Sequence, residues 1–163
     1  MTIRNASIKD LEAVAAVERM CFPAAEAAPK EELEERLKYY PDHFQLAFDG
    51  DKLVAFVDGF VTDESDLTDE MYENADMHNE NGSWQMIFGV NTIPEYRNCG
   101  IAAMLINRVI DDAREQGRKG VVLTCKEKLL HYYAKFGFVN EGVTDKSVHG
   151  GVKWYQMRLT FSK

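Results

Sequence analysis

The sequence predicts a single α/β (α+β) domain on a mixed sheet, and three observations carry that prediction. In the second half, strand-like apolar runs at 84–92, 121–125, 138–139 and 153–161 alternate with helical periodicity after Arg97 and over 126–136. Strand, helix, strand, helix, strand requires a crossover, so part of the sheet is parallel. In the first half, the runs 44–48 and 53–61 flank Asp49-Gly50, a hairpin turn signal. Finally, 163 residues suit one compact domain, taken as 1–163, and 45% hydrophobic content is enough to fill its core.

The elements follow in order. Ser7 and Asp10 resemble a helix cap, and Leu11, Val14, Val17 and Cys21 then recur at helical spacing until Pro23. A second helix starts near Pro29, carries Leu33, Leu37 and Tyr40 on one face, and stops at Pro41. Residues 63–83 are acidic and polar, punctuated by Leu67, Met71, Tyr72 and Met77; so long a loop in a compact domain is functional or partly helical. The run 84–92 reads as one long strand, with Gly89 marking a bulge or a close backbone approach. Ala102, Leu105, Val109, Ile110 and Ala113 give the next helix its apolar stripe, and Gly117 is its expected C-cap.

Charge excludes one class of partner. The net charge of -8 would repel nucleic-acid phosphates. Between Lys52 and Arg97 there is no Lys or Arg, while ten carboxylates, from Asp58 to Glu95, fall in that stretch. Such a field attracts cations, although a solvated acidic loop reads the same way. No apolar run approaches a membrane span, and the Met1-Thr2-Ile3-Arg4 start lacks a signal peptide's apolar stretch, so no membrane partner and a cytoplasmic location are expected. Cys21, Cys99 and Cys125 have no metal-like spacing, so reduced thiols and no metal site are expected.

Two motifs carry chemistry. The first, Arg97-Asn98-Cys99-Gly100-Ile101-Ala102, lies between a strand and a helix. A helix start exposes unpaired N–H groups and a partial positive charge, which can cradle a pyrophosphate where small residues let it approach. Gly100 and Ala102 meet that demand, and Arg97 adds a formal charge. A glycine near a helix start is also an ordinary structural turn. No Gly-Lys-Ser/Thr triplet and no run of three spaced glycines is present here, which excludes the Walker and dinucleotide patterns. The second motif is Tyr132-Tyr133-Ala134-Lys135-Phe136-Gly137-Phe138. Tyr132, Phe136 and Phe138 read as core. Tyr133 lies about a hundred degrees round the helix from Tyr132, so the two are expected to serve different faces. A phenol there can protonate a leaving thiolate.

Together, Arg-x-x-Gly-x-Ala after a strand and Tyr-x-x-Phe-Gly-Phe one strand later resemble the cofactor and catalytic motifs of the GNAT N-acetyltransferase superfamily. Cys21-Phe22-Pro23 and the acidic Asp63-Glu64-Ser65-Asp66-Leu67-Thr68 resemble its arylalkylamine (serotonin-type) branch and bacterial relatives. The resemblance implies a mixed, mostly antiparallel seven-stranded sheet flanked by helices, splayed between strands four and five to admit the pantetheine arm of acetyl-CoA. Backbone groups of Val90, Asn91 and Thr92 would bond the cofactor. Arg97 would stand near its phosphates, and Asn98, Cys99, Gly100, Ile101, Ala102 and Ala103 would wrap the pyrophosphate. Tyr133 would protonate the departing coenzyme A thiolate after direct attack by a small primary amine, an arylalkylamine or polyamine. The fold class also admits a homodimer.

One departure stands out. Animal enzymes of that branch carry two histidines where this chain has Met86 and Phe88, which leaves the base unassigned among His78, Glu80, His131 and water. Cys125, just before a helix, offers a covalent acyl-cysteine route in principle. The alternatives to a small-amine enzyme are a non-catalytic acyl-CoA-binding sensor and a peptide or protein N-acetyltransferase, the latter needing an open cleft that segment 63–83 could cover.

Overall fold

The structure, a computed structural model, describes residues 1–162 apart from the side chain of His149. Among the described residues, nine strands form two sheets. The first has order β1-β2-β3-β6, with β1 at Thr2–Asn5, β2 at Phe44–Asp49, β3 at Lys52–Asp58 and β6 at Gly89–Thr92, all antiparallel. The second has order β4-β5-β7-β9-β8, with β4 at Val61–Thr62, β5 at Trp84–Ile87, β7 at Gly120–Cys125, β8 at Val139–Val143 and β9 at Tyr155–Thr160. Its β5–β7 pair is parallel, as the crossover pattern requires, and its other pairs are antiparallel.

The helices have the sequence's own starts and stops. Helix α1, Leu11–Cys21, is entered through a short 3-10 turn in which Ser7 and Asp10 form a capping box. Helix α2, Lys30–Tyr39, has Pro29 at its N-cap, and Pro41 blocks its continuation. Within 63–83 lies α3, Asp69–Glu73, whose Met71 is fully buried together with Leu67. Helix α4, Ile101–Glu115, buries Ile101, Leu105, Ile106, Val109, Ile110 and Ala113 and packs against strands of both sheets. Gly117 follows at φ 78°, a left-handed position that suits a residue without Cβ. Helix α5 is only Leu130–Ala134, preceded by a 3-10 turn.

Two expectations are corrected. The run 84–92 is not one strand: it breaks at Phe88, β5 pairing with β7 and β6 with β3. The break lies opposite Gly59, where an added Cβ would come within 1.9 Å of the Met86 carbonyl oxygen, so the two chains cross at a distance only glycine permits. Nine strands in two sheets also replace the expected seven in one, because this break divides 84–92 into β5 and β6 and the expected strand 53–61 likewise divides, at Gly59, into β3 and β4. The mixed, mostly antiparallel class stands. Beyond the break, β6 is the edge of the first sheet and β7 belongs to the second. The space between them positions the site.

Candidate active site in the gap between the sheets

A cavity of about 870 Å³ opens between β6 and β7. Val90 of β6 and Leu123, Thr124 and Cys125 of β7 wall it from the two sides. A smaller cavity of about 230 Å³ continues toward α4. The two share Cys21, Val90, Arg97, Leu129 and Tyr133.

Of the residues expected to hold a cofactor, Val90, Thr92, Arg97 and Ala102 line the smaller cavity. Because β6 bonds β3 along one edge, its other edge is left to the gap. The Thr92 carbonyl is already occupied, accepting from Arg97 Nε at 2.9 Å and from Cys21 Sγ at 3.3 Å. These bonds tie Arg97 and the end of α1 to the strand. Gly100 caps α4 at φ 79° with no side-chain hydrogen bond to the first turn, and Asn98 is also left-handed at φ 62°. An uncapped start with no acidic residue in its first turn leaves its amides available to an anion. Ile101 turns its side chain into the core and offers only its amide, Ala103 is half-buried, and Asn98 and Cys99 are exposed beside them. Asn91, expected to act through its backbone, turns a buried side chain away from both cavity walls.

Tyr133 of α5 is 6% exposed and walls both cavities. Burial, with lesser contributions from Cys125 and Tyr132, pushes its phenol well above the ordinary tyrosine value, so it keeps its proton across the working range. Tyr132 does not turn away as the helical offset predicts; it also walls the smaller cavity, its ring edge-on to Tyr133 at 5.2 Å. Helix α5 is barely one turn long, and a single turn lying across a gap can present adjacent residues to it. Cys125 is 2% exposed, and burial pushes its thiol up to about 11, opposite to what a nucleophile needs.

The sequence reading missed a polar cluster behind Gly89. Glu18 of α1 is 4% exposed and yet reaches the cavity wall. Its Oε2 accepts from the Ala28 amide at 2.9 Å. A Cβ built on Gly89 would lie 3.1 Å from Asn91 Nδ2, 3.2 Å from Asp58 Oδ1 and 3.8 Å from Glu18 Oε1, so the three groups converge on this glycine. Asp58 is held by Arg36 at 3.0 Å, and its Oδ1 has no hydrogen-bond partner. Burial foremost, and then Asp58, push the Glu18 carboxyl up to about 7 against the Ala28 amide and Arg36. The sequence did carry a signal: Glu18 stands four residues after Val14 and seven after Leu11, on the stripe that α1 buries.

The candidate bases fare differently. His78, Glu80 and His131 line neither cavity. His78 and His43 both hydrogen-bond Glu80, at 3.0 and 2.9 Å, and Arg118 joins them at 3.0 Å. His78 Nδ1 accepts from the Val61 amide at 3.1 Å, so its Nε2 carries the proton it gives Glu80 and presents no lone pair to a cation. The cluster fastens the acidic segment to the body. Asp66 is likewise paired, with Arg158 at 2.7 Å and with Lys146. Among the carboxylates of 63–83, Asp69 and Glu73 reach the cavity, beside Tyr72. Met86 is buried in the core, while Phe88 faces the cavity and packs against Tyr72 at 4.8 Å.

The split sheet, the uncapped α4 start and the cavity between them define an acyl-CoA acyltransferase architecture. Residues 11–138 match the acetyltransferase (GNAT) family, and the chain belongs to that family. It is similar to a probable hydrolase, YhcX, of Bacillus subtilis, 26% identical over 91% of this chain and 30% of that protein. A stretch of 47 residues is 40% identical to a probable glucosamine 6-phosphate N-acetyltransferase of rice, covering 29% of this chain and 28% of that one. The chain thus spans about a third of the length of the curated relatives it matches. Among solved structures, the loading GNATL domain of CurA from Lyngbya majuscula superimposes with a TM-score of 0.84 at 18% identity, over 98% of this chain and 96% of that one.

Proposed function

We propose that residues 1–163 act as one N-acetyltransferase unit that moves the acetyl group of acetyl-CoA directly to a small primary amine. The observation that carries this reading is Tyr133, a buried, protonated phenol on the wall shared by both cavities. Bound acetyl-CoA supplies an activated thioester. The amides at the α4 start, with Arg97, suit its pyrophosphate, and the free edge of β6 suits the amide-bearing arm. Tyr133 protonates the sulfur that leaves, and Cys125 takes no covalent part.

The acceptor side favours a small cationic molecule. The 22–29 connection, α3 and Trp154 enclose the larger cavity, and Glu18, Glu32, Asp69 and Glu73 contribute carboxylates to its wall. A protein substrate needs a groove that admits main chain, and α3 occupies that side. Arylalkylamines and polyamines are the acceptors we propose, acting in the cytoplasm; among the described residues no helix is long and apolar enough to cross a membrane.

The test is acetyl transfer to a panel of arylalkylamines, polyamines, amino acids and short peptides, alongside calorimetry with acetyl-CoA. Turnover of amines from the first two groups supports the reading. Tight acetyl-CoA binding with no turnover on any acceptor would instead identify an acyl-CoA sensor. Turnover confined to peptides would move the acceptor to protein N-termini or side chains.

A further inference from the structure

We propose that Glu18 is the proton acceptor for the incoming ammonium group, a catalytic carboxylate on α1 outside both sequence motifs. The assignment rests on the amine-transferase reading above. Glu18 Oε2 is fixed by the Ala28 amide at 2.9 Å, which orients the carboxyl and leaves Oε1 on the Gly89 side, where β5 gives way to β6 and the cavity begins. The same cavity is walled by Tyr133. One chamber therefore holds a carboxyl suited to take a proton and a phenol suited to give one.

The surroundings tune this carboxyl. From β3, Asp58 stands nearby with a bare Oδ1; from α2, Arg36 offsets the two negative charges; from β6, the Asn91 amide lies alongside; and Cys21 is one turn further along α1. Glu32, Asp69 and Tyr72 share the cavity wall. Of the other carboxylates there, Glu26 is committed to Lys126 at 2.9 Å. Asp58 itself is committed to Arg36 and does not reach the wall. A carboxyl that titrates near 7 is a far better match to an ammonium of about 10 than an ordinary glutamate, since each unit of mismatch costs about tenfold in proton transfer.

The step balances. The ammonium gives one proton to Glu18, which becomes neutral. The freed nitrogen pair forms the C–N bond to the thioester carbon, and the C–S bond breaks with its pair on sulfur. Tyr133 protonates that sulfur, and the second proton shed by the new amide nitrogen restores the phenol. Glu18 returns its proton to solvent, so the net release is one proton per ammonium acetylated.

The experiment measures kcat/KM against pH for the wild type, Glu18→Gln and Glu18→Asp, with 2-phenylethylamine, spermidine and 2,2,2-trifluoroethylamine, the last already neutral at pH 7. We expect the wild type to show an acidic limb near pH 7. Glu18→Gln should lose about 100-fold on 2-phenylethylamine at pH 7, lose that limb, keep its acetyl-CoA affinity, and be nearly unimpaired on trifluoroethylamine. A merely structural glutamate would depress all three amines alike, and that result, or an unchanged limb in Glu18→Gln, overturns the assignment while leaving the transferase reading intact. Should Glu18→Gln not fold, Glu18→Asp decides: a displaced limb supports Glu18 and an unmoved one overturns it. No turnover of any amine by the wild type overturns both readings.

Discussion

Arg36 Nη1 donates to Asp58 Oδ2 at 3.0 Å, with the arginine 3% and the aspartate 1% exposed, and of the two only Arg36 reaches the larger cavity. Arg36 also donates to the Tyr72 carbonyl at 3.1 Å and lies over the Phe88 ring at 5.2 Å. One cation thus joins α2, β3, α3 and the β5–β6 break. Removing one member of such a buried pair strands the other charge. Arg36→Met is expected to cost about 3–5 kcal/mol in urea unfolding. The double variant Arg36→Met, Asp58→Leu should recover part of that loss, because no charge is then left unpaired.

The same burial makes Glu18 a load on the fold at neutral pH. Its carboxyl titrates at about 7 when folded against an ordinary 4.5. A raised carboxyl binds its proton more tightly in the folded state. Its contribution is therefore full below about pH 4.5 and is lost as pH rises through about 7. The loss amounts to about 3 kcal/mol at 1.4 kcal/mol per unit. Glu18→Gln should accordingly gain stability relative to the wild type at pH 8 and little at pH 4, read as the difference in urea midpoint at the two pH values. Gain of stability with loss of turnover is the pattern of a strained functional group.

Periodicity disclosed α1, α2 and α4 because their apolar residues repeat over two or more turns, as Leu105, Val109 and Ala113 do. Strand β1 escaped notice because Thr2–Asn5 is short and mostly exposed, without alternation. The break at Phe88 is a tertiary event: nothing in 84–92 says that its halves will bond different partners, and only Gly59 and Gly89 hint at a close crossing. The Tyr133 and Gly100 motifs were legible because their chemistry is local. Glu18 and Arg36 were not, since each sits within an apolar stripe where a charged residue is readily discounted. Arg36 lies between Leu33 and Tyr40 on the buried face of α2. A charge on an apolar stripe must find a partner inside.

Tyr133→Phe isolates the proton donor. The ring packs edge-on to Tyr132 and Phe138, at 5.2 and 6.2 Å, so a phenylalanine fills the same space. We expect kcat to fall about 100-fold with acetyl-CoA affinity nearly unchanged. A fall in affinity with kcat preserved would assign Tyr133 to binding.

Cys125→Ala tests the covalent route. The thiol is 2% exposed, held up at about 11, and lies 3.7 Å from the Met157 sulfur. Turnover should persist within a few-fold, and rapid quenching of the wild type after mixing with acetyl-CoA should yield no acetylated protein. An acetyl group recovered on Cys125 would restore the two-step mechanism.

Gly100 tests the anion cradle separately from the chemistry. At φ 79° it holds a backbone shape that L residues adopt at a cost of about 1–2 kcal/mol. A Cβ there would meet nothing within 4 Å, so Gly100→Ala has no clash to relieve and acts through the backbone alone. Either the loop keeps its shape and the protein loses that stability, or the loop relaxes and the amides of Ile101, Ala102 and Ala103 swing off their common point. In the second case coenzyme A affinity falls about tenfold, one cradle contact's worth at 1.4 kcal/mol, while kcat at saturation stays near the wild type because Tyr133 and Glu18 are untouched. Calorimetry with coenzyme A, paired with a thermal melt of the same variant, separates the two. Unchanged affinity together with unchanged stability would remove the α4 start from the binding site.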